Sequence, residues 1–151
     1  MLKIRKTKKE DLNLLAVVYK AAYDRPKEGE DWSIANSKKL LEFYFYQKTA
    51  LGLTAVLDGK IVGAFLSFIK PWYDGNHLGE GELFIDPGYQ GQKIGTKLFF
   101  EMMKLAKNKK CVAHELIAYG RVAHWYRKMG MKNSGLLPMS GDIKEILKKM
   151  E

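Results

Sequence analysis

Glu82 to Phe99 reads ELFIDPGYQGQKIGTKLF: a short apolar strand, a Pro/Gly turn, a glycine-punctuated loop, then a basic amphipathic helix. A strand that runs through such a loop into a helix makes a place to hold phosphate. The N–H groups of the first helical turn have no intrahelical partner, and the helix dipole adds partial positive charge. The plainer reading of the same residues is an ordinary strand-to-helix connection. Spacing removes two other phosphate loops. A P-loop needs G-x-x-x-x-G-K-[ST], whereas Gly91 and Gly95 are three residues apart and Thr96 precedes Lys97; no G-x-G-x-x-G occurs for a Rossmann site. Alternation along the preceding strand sets Glu80, Glu82 and Phe84 on one face, where burial would raise a carboxylate's pKa.

Other groupings fall short. His114-Glu115 begins an H-E-x-x-H pattern, but Ala118 stands where the second ligand should be. Cys111 and His114 lie on opposite faces of their strand, which argues against a Cys–His nucleophile pair. No metal site is expected.

The elements that position these residues follow from periodicity. Leu2 to Lys6 alternates as a strand, and Thr7 with Glu10 forms a capping box ahead of a helix carrying Leu12, Leu15, Ala16, Tyr19 and Tyr23. That helix stops near Pro26, a locally acidic turn follows, and a second helix runs from Ser33 or Asn36 to Tyr46. Asp58-Gly59 joins two strands, Thr49 to Leu57 and Lys60 to Ile69, as a type I′ hairpin. Pro71 to Asn76 reads as a turn and Leu78 to Ile85 as one strand. A helix with a stripe of Ile94, Leu98, Met102 and Leu105 comes next, then a strand from Val112 to Ala118. A short helix from Val122 to Met129 ends at Gly130, Leu136 to Met139 is a possible strand, and Ile143 to Met150 a last helix.

The chain has 151 residues, the size of a single domain, and no linker or repeat divides 1–151. No stretch approaches the ~20 apolar residues of a membrane span, and one cysteine permits no internal disulfide, so the reading is a cytoplasmic protein without a membrane partner. The net charge of +9 is uneven: residues 1–92 hold 13 Lys/Arg against 12 Asp/Glu, and residues 93–151 hold 13 against 5. A basic surface beside a phosphate loop suits an anionic ligand and would equally suit nucleic acid; the plain reading of any one lysine is a solvated helix face.

Gln90, Gly91 and Gly95 resemble the Q/R-x-x-G-x-G/A signature of the GNAT N-acetyltransferase family, and Pro87 to Gly91 resembles the tight turn before it. The family's first signature glycine is Lys93 here, so the loop must be helical already at Lys93 or strained. VAHWYRKMGM, Val122 to Met131, resembles the family's second motif, with Tyr126 at the position of the general acid. The element order agrees as far as the fourth helix. The resemblance implies an α/β (α+β) domain with a mixed, mostly antiparallel sheet flanked by helices, and acetyl-CoA as cosubstrate with no metal. It implies cofactor contacts from Leu83, Phe84, Ile85, Gln90, Gly91, Gln92, Lys93, Ile94, Gly95 and Thr96. Tyr119 stands where the family has an asparagine, putting one bond to the pantetheine arm in question. Family members are often dimers, so a homodimer is a possible state.

The mechanism implied is direct attack of an amine on the thioester, with a strand N–H on the oxyanion and Tyr126 protonating the leaving thiolate. An alkylamine near pKa 10 is about one part in a thousand neutral at pH 7, so a base is needed, and Glu82 is the candidate; pairing of Glu82 with a lysine is the alternative. Trp125 reads as core, and His124 as helix surface. The acceptor is a small-molecule or protein amine. The acidic stretch Glu28 to Asp31 with Glu80 and Glu82 suits a polyamine or aminoglycoside, and an amino acid, protein N-terminus or lysine suits as well. Two rivals stand beside this: a basic nucleic-acid module using Trp125 and Tyr126 for stacking, with no named motif to support it, and a relative that binds acyl-CoA without turnover.

Overall fold

Alternating Leu2, Ile4 and their polar neighbours form an edge strand, β1 (Leu2–Lys6), paired antiparallel with β2 (Ala50–Leu57). β2 turns into β3 (Lys60–Trp72) through Asp58 and Gly59, whose φ values of 47° and 83° are the two left-handed residues of a type I′ hairpin. The computed structural model describes residues 1–150, Pro26 and Met150 by backbone alone. The chain divides into two compact units, residues 1–116 and 117–151.

In the first unit, the strand expected from Leu78 to Ile85 is two strands. β3 runs into the expected turn as far as Trp72, and the chain reverses within it at Tyr73-Asp74 into β4 (Gly75–Leu78) and then β5 (Glu82–Ile85), both antiparallel to β3. Ile69 faces Leu78 and Leu66 faces Glu82, so Ser67 and Phe68 are opposed by Gly79, Glu80 and Gly81. That one extra residue is a β-bulge. The buried Ser67 hydroxyl donates to the displaced carbonyls of Gly79 (2.7 Å) and Glu80 (3.3 Å). A Cβ at Gly81 would collide with the Leu66 carbonyl, which explains glycine there.

The sheet order is β1-β2-β3-β4-β6, where β6 (Cys111–His114) runs parallel to β4. β5 pairs with β3 alone among the described residues. Helices cover both faces. α1 (Leu12–Tyr23) and α2 (Ile34–Phe45) enclose Ala64, Leu66 and Phe84 in the larger core, and α3 (Ile94–Asn108) packs on the opposite face, where Phe99 stacks on Phe65 at 6.4 Å. α2 begins at Ser33, whose hydroxyl accepts the Asn36 N–H (3.0 Å). The start of α1 corrects the expected capping box. Asp11 accepts the Lys8 N–H (2.8 Å), while Thr7 is buried and bonded to Thr54 (2.9 Å), and Glu10 is exposed.

In the second unit, α4 (Gly120–Lys128) ends in a Schellman motif: Met131 N–H donates to Tyr126 O, Gly130 N–H donates to Arg127 O, and Gly130 has φ 97°. Leu136 to Met139 is not a strand; Gly135 precedes it with φ 80° and Pro138 lacks an N–H to donate. α5 (Ile143–Leu147) follows, capped by the Asp142 carboxylate on the N–H groups of Lys144 and Glu145, and the last turn, Lys148–Met150, is 3₁₀.

Candidate active site

The site in the first unit is built around β5. Asp86 N–H donates to Val62 O (2.9 Å), and the two-residue alternation of an antiparallel ladder then turns the amides of Phe84 and Glu82 toward β3. Leu83 and Ile85 direct their backbone groups to the outer edge. Both carbonyls there are engaged from within the unit: the Tyr23 hydroxyl donates to Leu83 O (2.9 Å) and the Gln90 amide donates to Ile85 O (3.0 Å). The N–H groups of Leu83 and Ile85 are left as a row of outward donors.

β5 leads into the loop. Asp86 accepts the Gly88 N–H (2.9 Å), Pro87–Tyr89 forms a 3₁₀ turn, and Gly91 has φ 78°. Of the two outcomes open at Lys93, helical or strained, the structure has the second: φ 61°, ψ 14°, left-handed, and it is the N-cap of α3 with no side-chain bond to the helix. Lys97 N–H donates to Lys93 O, so the N–H groups of Ile94, Gly95 and Thr96 precede the first intrahelical bond. Gly95 packs toward Ile85, and Gln92 lies exposed in the loop. Gln90, expected as a cofactor contact, ties the loop to the strand.

Glu82 and Phe84 share the face under α1, as alternation implies. The Tyr19 hydroxyl donates to Glu82 Oε2 (3.2 Å), and the Tyr19 ring meets Phe84 and Trp32 edge-on, each at 5.1 Å. Burial pushes the Glu82 carboxyl up to about 7; the Tyr19 bond pulls it down, and the Glu80 and Glu30 charges push it up further. The expected alternative, a lysine on Glu82, is not what holds it: its hydrogen bond comes from a tyrosine. Tyr19 itself is pushed well above the ordinary phenol range, chiefly by burial and then by Glu82, and burial lifts Tyr44 to about 12. Within the acidic turn, Glu28 pairs with Arg25 (3.9 Å), and Glu30 acts on Glu82.

The remaining expected residues lie in the second unit. Tyr119 is the N-cap of α4 and its ring carries the Arg121 guanidinium at 4.3 Å. Tyr126 is in the third-last position of α4, its ring edge-on to Trp125 at 4.8 Å.

Sequence reading missed three features. Periodicity puts Tyr19 and Tyr23 in an apolar stripe, but their i, i+4 spacing also sets two hydroxyls on one helix face. His77 is buried between Asp74 (2.7 Å) and Glu115, and Glu115 also pairs with Lys70 (2.6 Å); the Glu115 bond holds the His77 imidazolium above its usual range. Asp74 and His77 are three residues apart, but nothing in local sequence joins them to Glu115. His114 sits between Phe65 and Phe99, its Nδ1 on Leu78 O (3.1 Å), and burial lowers its pKa. Among the described residues no three His, Cys, Asp or Glu side chains converge as metal ligands, and no helix is long and apolar enough to cross a membrane.

The comparisons bear on the family and the fold. The sequence profile of the acetyltransferase (GNAT) family matches residues 16–131. No curated protein matches the chain by sequence. Among solved structures, the chain is similar to a transcriptional regulator from Bacillus halodurans C-125, at 18% identity, covering 94% of this chain and 100% of that one, with a TM-score of 0.77. An aminoglycoside N-acetyltransferase in complex with CoA is similar at 14% identity, with 95% of each chain covered and a TM-score of 0.75. A predicted acetyltransferase with acetyl-CoA from Clostridium acetobutylicum is similar at 17% identity, with 96% and 98% covered and a TM-score of 0.75. These likenesses establish a shared fold: one mixed, mostly antiparallel sheet with helices on both faces. With its profile match spanning most of its length, the chain belongs to the acetyltransferase (GNAT) family.

Proposed function

We propose that the protein is an acetyl-CoA-dependent N-acetyltransferase that transfers the acetyl group directly to a primary amine. The observation that carries this reading is the outer edge of β5, whose outward N–H groups run on into the first turn of α3. Two features of a CoA thioester fit that run: pantetheine amide carbonyls accept from a strand edge, and a pyrophosphate accepts from a helix start. Leu83 and Ile85 would hold the pantetheine arm, and Gly91, Gln92, Lys93, Ile94, Gly95 and Thr96 the pyrophosphate, with Gln90 bracing the loop; Phe84, expected as a contact, instead pairs its amide with β3 and buries its ring under α1. Tyr119 is a further candidate contact to the arm.

The thioester supplies an activated acetyl group. Glu82 accepts the proton of the attacking ammonium or amine, and a pKa of about 7 suits that task at neutral pH. A β5 N–H donates to the developing oxyanion. As the C–N bond forms and the C–S bond breaks, Tyr126 gives its proton to the thiolate. With a phenol reference near 10 against about 8.5 for a thiol, the proton moves only as charge develops. The acceptor is read as cationic, because the Glu80 and Glu30 charges act on the same carboxylate as the base. Polyamines and aminoglycosides fit that charge, and an amino acid, a protein N-terminus or a lysine side chain fits the reacting group as well.

Calorimetric titration with acetyl-CoA at moderate salt, with a short single-stranded DNA as comparison, tests the reading. Saturable one-to-one thioester binding that survives added salt is expected. DNA binding that collapses with salt, without thioester binding, would assign the function to the basic half instead.

A further inference from the structure

We infer that Tyr19 and Tyr23, one helical turn apart on α1, are the positioning residues of β5: Tyr19 aims and biases the Glu82 carboxylate, and Tyr23 fixes the Leu83 peptide at the strand's outer edge. This rests on the proposed function for its catalytic meaning, but its geometry is independent of it. The two hydroxyls contact consecutive residues of β5, Tyr19 on Glu82 Oε2 at 3.2 Å and Tyr23 on Leu83 O at 2.9 Å. Their rings lie 4.7 Å apart, and Tyr19 is 3% exposed and wedged between Trp32 and Phe84, so neither hydroxyl can move without repacking the core.

The choice of donor matters. A lysine or arginine at Tyr19 would hold the carboxylate ionised and weaken it as a base. A phenol that keeps its own proton orients the carboxylate while leaving its charge free to change. The charged or titratable groups acting on Glu82 are Glu80 within the bulge, Glu30 from the turn before α2 and Tyr19 of α1; Tyr44 of α2 feels Glu82 and Glu80 in turn, and Tyr23 acts on Tyr19. Lys20, the nearest cation on α1, is taken by Asp24 and the Trp32 carbonyl. On the other hydroxyl, Tyr23 engages the outward carbonyl of Leu83 and fixes the orientation of that peptide, whose N–H lies on the same edge.

The test uses Tyr19→Phe and Tyr23→Phe, which keep both rings, with Glu82→Gln as reference. Carbon-13 NMR titration of labelled glutamate, with the Glu82 signal assigned by its loss in Glu82→Gln, reads the carboxyl directly. Tyr19→Phe should raise the Glu82 midpoint by about half to one pH unit, as expected for loss of a hydrogen bond to the charged form. Tyr23→Phe should leave that midpoint in place and weaken acetyl-CoA binding about fivefold by calorimetry. A Glu82 midpoint unmoved in Tyr19→Phe overturns the role of Tyr19, and unchanged thioester affinity in Tyr23→Phe overturns that of Tyr23. The reading of Glu82 as base fails separately, if Glu82→Gln transfers acetyl at the wild-type rate while the Tyr19→Phe shift is seen.

Discussion

Asp11 and Glu82 are two shielded carboxylates along one helix, α1, and their surroundings send them in opposite directions. Asp11, 5% exposed, is gripped at both oxygens by Arg5 (2.7 and 2.8 Å) and by the Lys8 N–H, and the Arg5 bond holds it below the ordinary carboxylate range. Glu82 meets a phenol in place of a guanidinium, and burial takes it up to about 7. The helix is shared; the Arg5 bond dominates at Asp11, and burial beside a neutral partner dominates at Glu82. A cationic partner makes a permanent charge that joins β1 to α1, whereas a neutral donor leaves a group able to take and release a proton near pH 7.

The contrast can be broken most forcefully at Asp11. Asp11→Ala should cost about 3 kcal/mol in urea unfolding at pH 7, since it strands a half-buried Arg5. Because the folded carboxyl is lowered, its contribution is present above the unfolded value of about 4 and is lost as pH falls through the folded one, so the gap should shrink in strong acid. An equal gap at pH 7 and pH 2.5 would deny that the pairing is electrostatic. Glu82→Gln should do the reverse. The folded carboxyl is raised, so its protonated form is the stable one; stability is full below the unfolded value and falls as pH rises through about 7. The neutral glutamine escapes this loss and should be more stable than wild type by about 2 kcal/mol at pH 8.5, with no gain at pH 4. A constant difference at both pH values would mean that Glu82 does not titrate as described. The smallest effect lies at the loop. Lys93→Gly should gain about 1 kcal/mol in thermal or urea unfolding by relieving a left-handed lysine, and a loss would show that its side chain contributes more than its backbone costs.

Much of this was legible in the sequence where the cause is local. Asp58-Gly59 turned where a left-handed pair must turn, α1 and α2 ran where their apolar stripes run, and Lys93 took the conformation that the glycine pattern demands of whatever residue stands there. The face shared by Glu82 and Phe84 was also readable, since alternation needs only neighbours. What escaped depended on distant partners. The split of one expected strand into β4 and β5 is set by what lies across on β3, and the start of α1 went to Asp11 because Arg5, on another element, reaches it. Leu136 to Met139 looked like a strand by composition, but β structure needs a ladder to join. The Glu115 contact of His77 had no signal, because the fold alone brings β6 beside β4; only its Asp74 partner is local.

The residue added at Gly79–Gly81 acts as a frameshift in three dimensions. Opposite β3, His77 before the bulge and Glu82 after it fall on the same face, although one number is odd and the other even. Were Gly79, Glu80 and Gly81 to continue the ladder from Leu78 without a bulge, Glu82 would fall opposite Phe65 and the two sides of β5 would exchange. Leu83 would then turn to the tyrosines of α1, and Glu82 would be driven into the apolar layer where Phe65 meets α3. Which side of the sheet can hold a base is thus written in the count of residues between two strands, and no single side chain encodes it.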